Sequence, residues 1–268
     1  MKKVFFYIGL ICCGLSLQSC ALLSAAGLSS QGQPTKEVKG DLASTTANSA
    51  VNVDHSQWDQ LLKKYVNKEG LVDYVGFKED SVALQQYLDQ LSKYEPTSSW
   101  SVQELLAFYI NLYNAHTVKL IIDHPDVSSI KDIDGPWTKA IVPVGDKMLS
   151  LGGIENGILR KMNEPRIHFA INCASISCPK ILTEAYTASR INEQLERATS
   201  SFINSDKNDI SPNSARVSKI FDWYKKDYTE GKYATVRDFI NAYSTVEINP
   251  SVALQYMEYN WSLNAQQP

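Results

Sequence analysis

The residues with the clearest chemical potential are one histidine and two cysteines in a single short stretch: His168, Cys173 and Cys178. The thiolate is the reactive form of cysteine, and a neighbouring imidazolium lowers the pKa of the thiol. The pattern favours a nucleophilic Cys173 with His168 as its base and Glu155 as the carboxylate that orients the imidazole. Five residues of straight strand would separate the Cα atoms of His168 and Cys173 by about 16 Å. This arrangement therefore requires a sharp bend near Asn172.

The same residues allow three other interpretations. Cys173 and Cys178 are near enough in sequence for a disulfide. Such a bond would act as a staple, a cross-link that constrains the loop, and would leave Cys173 without a reactive thiol. Both cysteines are also consistent with inert buried thiols, and His168 with a hydrogen-bonded core histidine. A metal site is the weakest alternative because the spacing matches no zinc pattern. We therefore expect neither a metal nor a cofactor.

Four further side chains are candidates for binding a substrate: Asn111, Asn114, Arg160 and Ser175. The two asparagines share one stripe of an apolar helical segment, where an unpaired buried amide would cost about 1–3 kcal/mol. They either tie down neighbouring loops or line a pocket and donate to an oxyanion. Arg160 either clamps a carboxylate or phosphate with its guanidinium fork or forms a structural ion pair with Glu155. Ser175 adds a hydroxyl to the cysteine loop.

A long apolar segment, Ser101–Asp123, must position much of this chemistry. Its apolar residues surround most of the helical circumference, which predicts a central, buried helix. Ser101 and Glu104 fit a capping box at its start, and His124 followed by Pro125 ends it.

Other segments have the periodicity of shorter elements. Predicted helices cover Ser56–Val66, Lys78–Leu91, Leu151–Lys161, Ser189–Phe202 and Val236–Tyr243. Predicted strands cover Ala140–Val144, Met148–Leu151, Arg166–Asn172 and about Gln255–Trp261, with a hairpin turn at Gly145 and Asp146. Helices outnumber strands and do not alternate with them regularly. The fold class is therefore α+β: one mainly helical domain, residues 54–268, whose central buried helix packs on a small, mostly antiparallel sheet.

The first residues have the features of a secretory signal. Lys2 and Lys3 precede an apolar run from Val4 to Leu17, which is shorter than the roughly 20 residues of a transmembrane helix. The run ends in Leu-Gln-Ser-Cys, which resembles a bacterial lipobox and implies cleavage after residue 19 with lipid attached to Cys20. Ala21 stands where an Asp would retain a lipoprotein at the inner membrane. We therefore expect a protein anchored in the outer membrane by lipid, facing the periplasm.

Composition separates a tether from the domain. Residues 20–53 are rich in Ser, Ala, Thr and Gly and contain no aromatic residue, which predicts a flexible tether behind the lipidated cysteine. The whole chain has 44% hydrophobic residues, so global disorder is excluded. Its formal charge of −3 offers no basic surplus for nucleic acid, and we expect no nucleic-acid partner.

Four blocks, in this order, resemble the domain-of-unknown-function family 547 over about Trp100 to Asn264. They are Phe108–Ala115, Ile154–Arg160, Arg166–Pro179 and Tyr259–Asn264. A distant likeness to papain-like and transglutaminase-like folds implies a central helix packed against a sheet that bears the histidine. Those folds carry the nucleophilic cysteine at the start of the central helix, where this sequence has Glu104 to Asn111 and no cysteine.

Two functions remain open at this point. The first is a cysteine-dependent hydrolase or transferase of the cell envelope that acts on acyl or amide groups. The second is a non-catalytic domain that binds a ligand or partner, with a Cys173–Cys178 disulfide as a staple. The ligand in either case is an unknown peptide or glycan of the envelope. Aromatic residues crowd the C-terminal part, where they form either core or a saccharide groove.

Overall fold

The computed structural model describes residues 20–40, 42, 49 and 51–267, and the predicted signal peptide lies outside these residues. The helices are α1 (residues 20–25), α2 (Ser56–Tyr65), α3 (Tyr74–Glu79), α4 (Ser81–Ser92), α5 (Val102–Ile122), α6 (Ile191–Ile203), α7 (Ile220–Trp223), α8 (Lys225–Thr229) and α9 (Val236–Tyr243). The strands are β1 (Val142–Val144), β2 (Lys147–Leu149), β3 (Asp209–Ser211), β4 (Ser214–Val217) and β5 (Leu254–Tyr256). The α+β class predicted from the sequence is confirmed.

Helix α5 is the buried centre of the molecule, as its all-round apolar pattern predicts. By length and composition alone it could cross a membrane, but 89% of its most apolar 18-residue window is buried inside the protein. Ser101 caps its start by accepting a hydrogen bond from the backbone N–H of Glu104. The predicted capping box is only half formed, because the Glu104 carboxylate accepts from the backbone N–H of Val53 at 2.9 Å. Burial raises the pKa of Glu104.

Helices surround α5 and create two neighbouring apolar cores. Helices α3, α4 and α6 contact α5, while β1 packs beside α4. The first core is built around α5. The second is mostly aromatic, and Phe169 stacks there on Phe239 at 6.0 Å between ring centroids.

The strands form two small sheets. Strands β1 and β2 make the predicted antiparallel hairpin, with Val142 opposite Leu149 and Gly145 in the left-handed region of its turn at φ +55°. Strands β3, β4 and β5 form the second sheet, in which β3–β4 is antiparallel and β4–β5 is parallel. Strands β3 and β4 are only three and four residues long, and no alternating sequence pattern predicts them.

The segment Arg166–Asn172 is not the strand that its alternating pattern predicted. Pro165–Phe169 forms a 3₁₀ helix, and the Glu164 side chain caps it by accepting from the backbone N–H of Arg166. Proline at the first helical position favours this start. The chain then turns at Ala174, which has φ +57°. The chain between His168 and Cys173 is therefore not an extended strand, but no hydrogen bond joins the two side chains, because Nδ1 of His168 has no partner among the described residues.

The predicted helix Leu151–Lys161 is helical but irregular. It contains a π-helical turn over Gly153–Ile158, followed by a 3₁₀ turn over Leu159–Met162. Such π turns widen a helix locally and often occur at functional sites. A Cβ atom at Gly157 would lie 2.6 Å from the carbonyl oxygen of Ser29, so only glycine permits this close approach of the N-terminal segment.

Residues 20–40, here called the N-terminal strap, pack against the domain rather than forming the flexible tether that composition predicted. Ala21 and Ser24 are buried. The Asn156 amide donates to the carbonyl oxygen of Ala25, and the backbone N–H of Val38 donates to that of Met162, at 2.8 Å each. The absence of aromatic residues did not prevent packing, because small side chains allow close backbone contact with the π turn.

Candidate functional site

A cavity of about 340 Å³ opens beside the bend that follows the 3₁₀ helix. Its lining combines groups that can ionise or donate a proton with aromatic rings. All three side chains of the predicted catalytic triad, Glu155, His168 and Cys173, line it. The other main lining residues are Ala25, Tyr113, Trp137, Asn156, Cys178, Trp223, Tyr224, Tyr259 and Trp261.

Cys173 and Cys178 are both free thiols, and their sulfur atoms lie 2.9 Å apart. The backbone N–H of Cys173 donates to the Cys178 sulfur at 2.9 Å. The Cys173 sulfur also contacts the hydroxyl oxygens of Ser175 at 3.2 Å and Tyr259 at 3.3 Å. The predicted staple is thus absent from this structure, although the two sulfurs are neighbours.

The surroundings give the two thiols different acidities. The hydrogen bond from Cys178 lowers the pKa of Cys173 against the opposing effect of burial, and the Ser175 and Tyr259 hydroxyls lower it further. Burial raises the pKa of Cys178 well above its usual value. Cys173 is also the more exposed of the two. Cys173 is therefore the thiol that can ionise and meet a ligand.

Buried amides hold the cysteine loop in shape. The Asn172 side chain donates to the carbonyl oxygen of Pro179 at 2.7 Å and accepts from the backbone N–H of Ala174 at 2.8 Å. The Asn114 side chain accepts from the backbone N–H of Asn172 and donates to the carbonyl oxygen of Ala170. Helix α5 thereby fixes the bend directly in front of Cys173.

The two predicted substrate-binding asparagines have structural partners. Asn111 donates to the carbonyl oxygen of Tyr186 at 2.7 Å and accepts from its backbone N–H at 3.0 Å. Asn114 holds the cysteine loop as described. Neither side chain lines the cavity. Of the two interpretations the sequence left open, the structure matches the one in which they tie down loops.

His168 is held by a carboxylate that the sequence analysis did not select. Its Nε2 atom lies 2.8 Å from Oδ2 of Asp227, and its Nδ1 atom has no hydrogen-bond partner among the described residues. Arg160 donates to both oxygens of Asp227, at 2.6 and 2.8 Å. Burial opposes ionisation of Asp227, but hydrogen bonds from Arg160 and His168 hold its pKa well below the usual range. Arg160 therefore pairs with Asp227 and not with Glu155.

Glu155 has a different role from the one predicted. Its Oε1 atom accepts a hydrogen bond from the Tyr224 hydroxyl at 2.5 Å. The Tyr224 ring stacks on the imidazole of His168 with 3.8 Å between centroids. Burial and the nearby Glu155 carboxylate raise the pKa of Tyr224, so its hydroxyl stays protonated. Glu155 is thus linked to His168 only through this tyrosine, and Asp227 is the orienting carboxylate.

Four aromatic rings cluster in the lining of the cavity and are here called the aromatic wall: Trp137, Trp223, Tyr259 and Trp261. Trp261 lies 4.6 Å from Tyr259, 5.8 Å from Trp223 and 5.9 Å from Trp137, measured between centroids. Trp223 is 43% exposed and marks the rim of the cavity. The C-terminal aromatic residues are therefore not all core, and these four present ring faces to a ligand.

Asp227 and Tyr224 belong to the site through tertiary contacts, and local sequence patterns do not indicate them. Each lies more than fifty positions from its partner in the sequence, so spacing gave no indication of either.

Among the residues that the structure describes, no group of three His, Cys, Asp or Glu side chains could hold a metal ion.

Comparison with known proteins gives one finding. Residues 97–203 match the family described as "Protein of unknown function, DUF547". The match includes Glu155, Arg160, His168, the cysteine loop and Trp137, and it ends before Asp227 and the other three rings of the aromatic wall. Neither the curated proteins nor the solved structures gave a match.

Proposed function

We propose that this chain, whose residues 97–203 match DUF547, is a cysteine-dependent hydrolase or transferase that acts on acyl or amide groups. Cys173 is its nucleophile and His168 its general acid and base. The observation that carries this proposal is one cavity lined both by a thiol with a lowered pKa and by an imidazole that a carboxylate holds.

The chemistry would proceed in two steps. The Cys173 thiolate attacks a carbonyl carbon, and the proton needed by the leaving group comes from His168, which Asp227 holds through Nε2. Water or a second acceptor then attacks the thioester, and His168 takes its proton. The Tyr259 hydroxyl lies next to the sulfur, lines the cavity and is the candidate donor to the oxyanion. Ser175 also contacts the sulfur, but it is buried and does not line the cavity.

The aromatic wall supports a ligand with flat apolar faces next to the reacting group. Sugar rings and the side chains of peptides both offer such faces, and Trp223, Tyr259 and Trp261 would stack on them. Wall contacts alone also support the second candidate, a domain that binds an envelope peptide or glycan without chemistry. Covalent trapping separates the two.

We propose further that the protein is an outer-membrane lipoprotein anchored through Cys20 and facing the periplasm. Cys20 is exposed, and three leucines that follow it, Leu22, Leu23 and Leu28, are about half exposed or more. Apolar side chains next to a lipidated terminus fit a strap that lies at a membrane surface. Mass spectrometry of the mature N-terminal peptide tests this, and an unmodified Cys20 would contradict it.

The test of the catalytic proposal is acyl trapping with 4-nitrophenyl acetate on reduced protein. We expect a burst of nitrophenolate and an acetyl group on the peptide that contains Cys173. The burst should disappear in Cys173→Ser and persist in Cys178→Ser, which serves as the matched control. Acetylation that is equally slow in both variants and in the parent chain would leave only the binding function.

A further inference from the structure

The cysteine loop carries a second chemistry that acyl transfer does not use. We propose that Cys173 and Cys178 form a dithiol that exchanges with disulfides and so passes between two thiols and an intramolecular disulfide. This inference does not depend on the hydrolase or transferase activity. It rests on the position of two free thiols in one ligand-accessible loop.

The geometry brings the two sulfurs together before any bond forms. They are 2.9 Å apart, and both cysteines line the cavity. Asn172 bonds the backbone at Ala174 and at Pro179, the residues that directly follow the two cysteines. Because the loop is clamped at both ends, closure of the disulfide requires only a small movement of two side chains.

The two cysteines are unequal in the way that dithiol exchange requires. Cys173 is partly exposed and contacts the hydroxyls of Ser175 and Tyr259, whereas Cys178 is only 7% exposed. The same contacts lower the pKa of Cys173, while burial raises that of Cys178. Cys173 is therefore the attacking thiol and Cys178 the resolving thiol.

The reaction is balanced by one external disulfide. The Cys173 thiolate attacks one sulfur of that disulfide, forms a mixed disulfide and releases the first thiolate, which takes a proton from solvent. The Cys178 sulfur then attacks Cys173, loses its proton to solvent, and releases the second thiolate, which is protonated in turn. The protein dithiol loses two electrons, and the external disulfide gains them and becomes two thiols.

Oxidation would also remove the nucleophile of the proposed enzyme. A Cys173 sulfur bonded to Cys178 has no thiolate to attack a carbonyl. If acyl transfer occurs, it should therefore stop in the oxidised protein and return after reduction.

The test uses the purified full-length chain, reduced and then incubated with bis(2-hydroxyethyl) disulfide. We expect one peptide linkage between Cys173 and Cys178, with no mercaptoethanol left on either sulfur, found by peptide mass spectrometry. Dithiothreitol should restore both thiols. Mapping by peptide keeps the result independent of the cysteines at positions 12, 13 and 20.

Two variants assign the order of events. Cys178→Ser should stop at a mixed disulfide, detected as a mercaptoethanol adduct on the peptide that contains Cys173. Cys173→Ser should react at least about tenfold more slowly, because Cys178 is buried and protonated. A cooperative thermal transition checks that each variant is folded. If either variant is unfolded, the Cys173–Cys178 linkage in the parent chain tests the proposal by itself.

Two results would overturn the proposal. One is a mixed disulfide that persists on Cys173 in the parent chain despite an intact Cys178. The other is a Cys173–Cys178 bond that resists excess dithiothreitol, which would make the pair a permanent staple. A nitrophenolate burst that survives while exchange fails would reject this inference and leave the proposed catalysis standing.

Discussion

Two cysteines in one loop differ because different groups surround them. Cys173 receives support for its thiolate from a thiol and two hydroxyls, whereas Cys178 is buried. Hydrogen bonds to the thiolate lower the pKa of a thiol, and at Cys178 burial outweighs the bond from the backbone N–H of Cys173. The reactive thiol is therefore identified by its neighbours and not by its position in the motif.

Alkylation by iodoacetamide should show this difference. In reduced protein, we expect Cys173 to react at pH values below about 8.5, where an ordinary thiol slows, and Cys178 to react slowly throughout. Tyr259→Phe removes one donor and should shift the Cys173 profile to higher pH. The exposed Tyr256→Phe is the control and should leave it unchanged. Equal rates at both cysteines would contradict this account. The measurement is alkylation rate against pH, followed by peptide mass spectrometry.

Asp227 joins Arg160 and His168, so its removal should affect both stability and the site. Asp227→Asn leaves the guanidinium without its charged acceptor, and we expect a loss of about 1–3 kcal/mol in the free energy of unfolding at neutral pH. Because the folded-state pKa of Asp227 is lowered, its contribution is complete above the ordinary value of 3.8 and disappears as pH falls through the lowered value. Urea denaturation at several pH values measures this.

The exposed Asp222→Asn is the matched control and should change stability little. The difference in the free energy of unfolding between Asp227→Asn and the parent chain should shrink in strong acid. If it stays constant, charge pairing is not its cause.

At the scale of elements, irregular helices place the site. The π turn over Gly153–Ile158 carries Glu155, and the 3₁₀ helix over Pro165–Phe169 carries His168 against α6. Regular versions of these segments would rotate their side chains differently around the axis. The site therefore depends on two segments that differ from the ideal helix and strand.

The N-terminal strap should be protected from proteolysis by its packing. The Lys36 ammonium donates to the carbonyl oxygen of Trp100, and the buried Val38 bonds to Met162. We expect Val38→Asp to release the strap and to increase tryptic cleavage after Lys36 about tenfold or more, measured by timed proteolysis and mass spectrometry. Glu37→Ala, at an exposed neighbouring position, is the control. If the parent chain is cleaved as fast as Val38→Asp, packing does not protect the strap, and the interpretation as a flexible tether is the correct one.

At the scale of the whole molecule, two cores meet beside the cavity. The core around α5 holds the loops that carry the cysteines, and the aromatic second core lies next to the elements that carry Asp227 and Tyr224. The site is therefore assembled from both halves of the chain. Helix α5 contributes no catalytic side chain, but it holds the backbone on which two of them depend.

Buried histidines should make the whole protein sensitive to acid. Burial lowers the pKa of His55 to about 4 and that of His116 to about 3, from 6.5. Below pH 6.5 the unfolded chain binds more protons than the folded one, so the free energy of unfolding should fall with pH. For His55 the loss between pH 6.5 and 4 is on the order of 3 kcal/mol. Denaturation midpoints across this range measure the slope.

Two variants test the assignment of this slope. His55→Gln should flatten it between pH 4 and 6.5, because one of the buried imidazoles no longer titrates. His124→Gln, at an exposed position, should leave it unchanged. The same slope in all three proteins would exclude the buried histidine at position 55 as a cause.

The sequence alone determined the features that depend on near neighbours. The bounds of α2, α5 and α9 follow from periodicity and from caps such as Ser101, and the β1–β2 hairpin follows from Gly145 and Asp146. The motif around His168 and Cys173 was also visible, because its residues are close in the chain. Hydrogen bonds within one turn and burial of one helix face are local properties, so local patterns predict them.

Only the tertiary structure decided which side chains work together. Asp227 and Tyr224 reach His168 and Glu155 from more than fifty residues away, and the strand predicted for Arg166–Asn172 became a 3₁₀ helix and a bend. The N-terminal strap packs against the π turn, although its composition is typical of a flexible tether. In each case the deciding free energy comes from the packing of elements distant in sequence, which alternation, spacing and composition do not record.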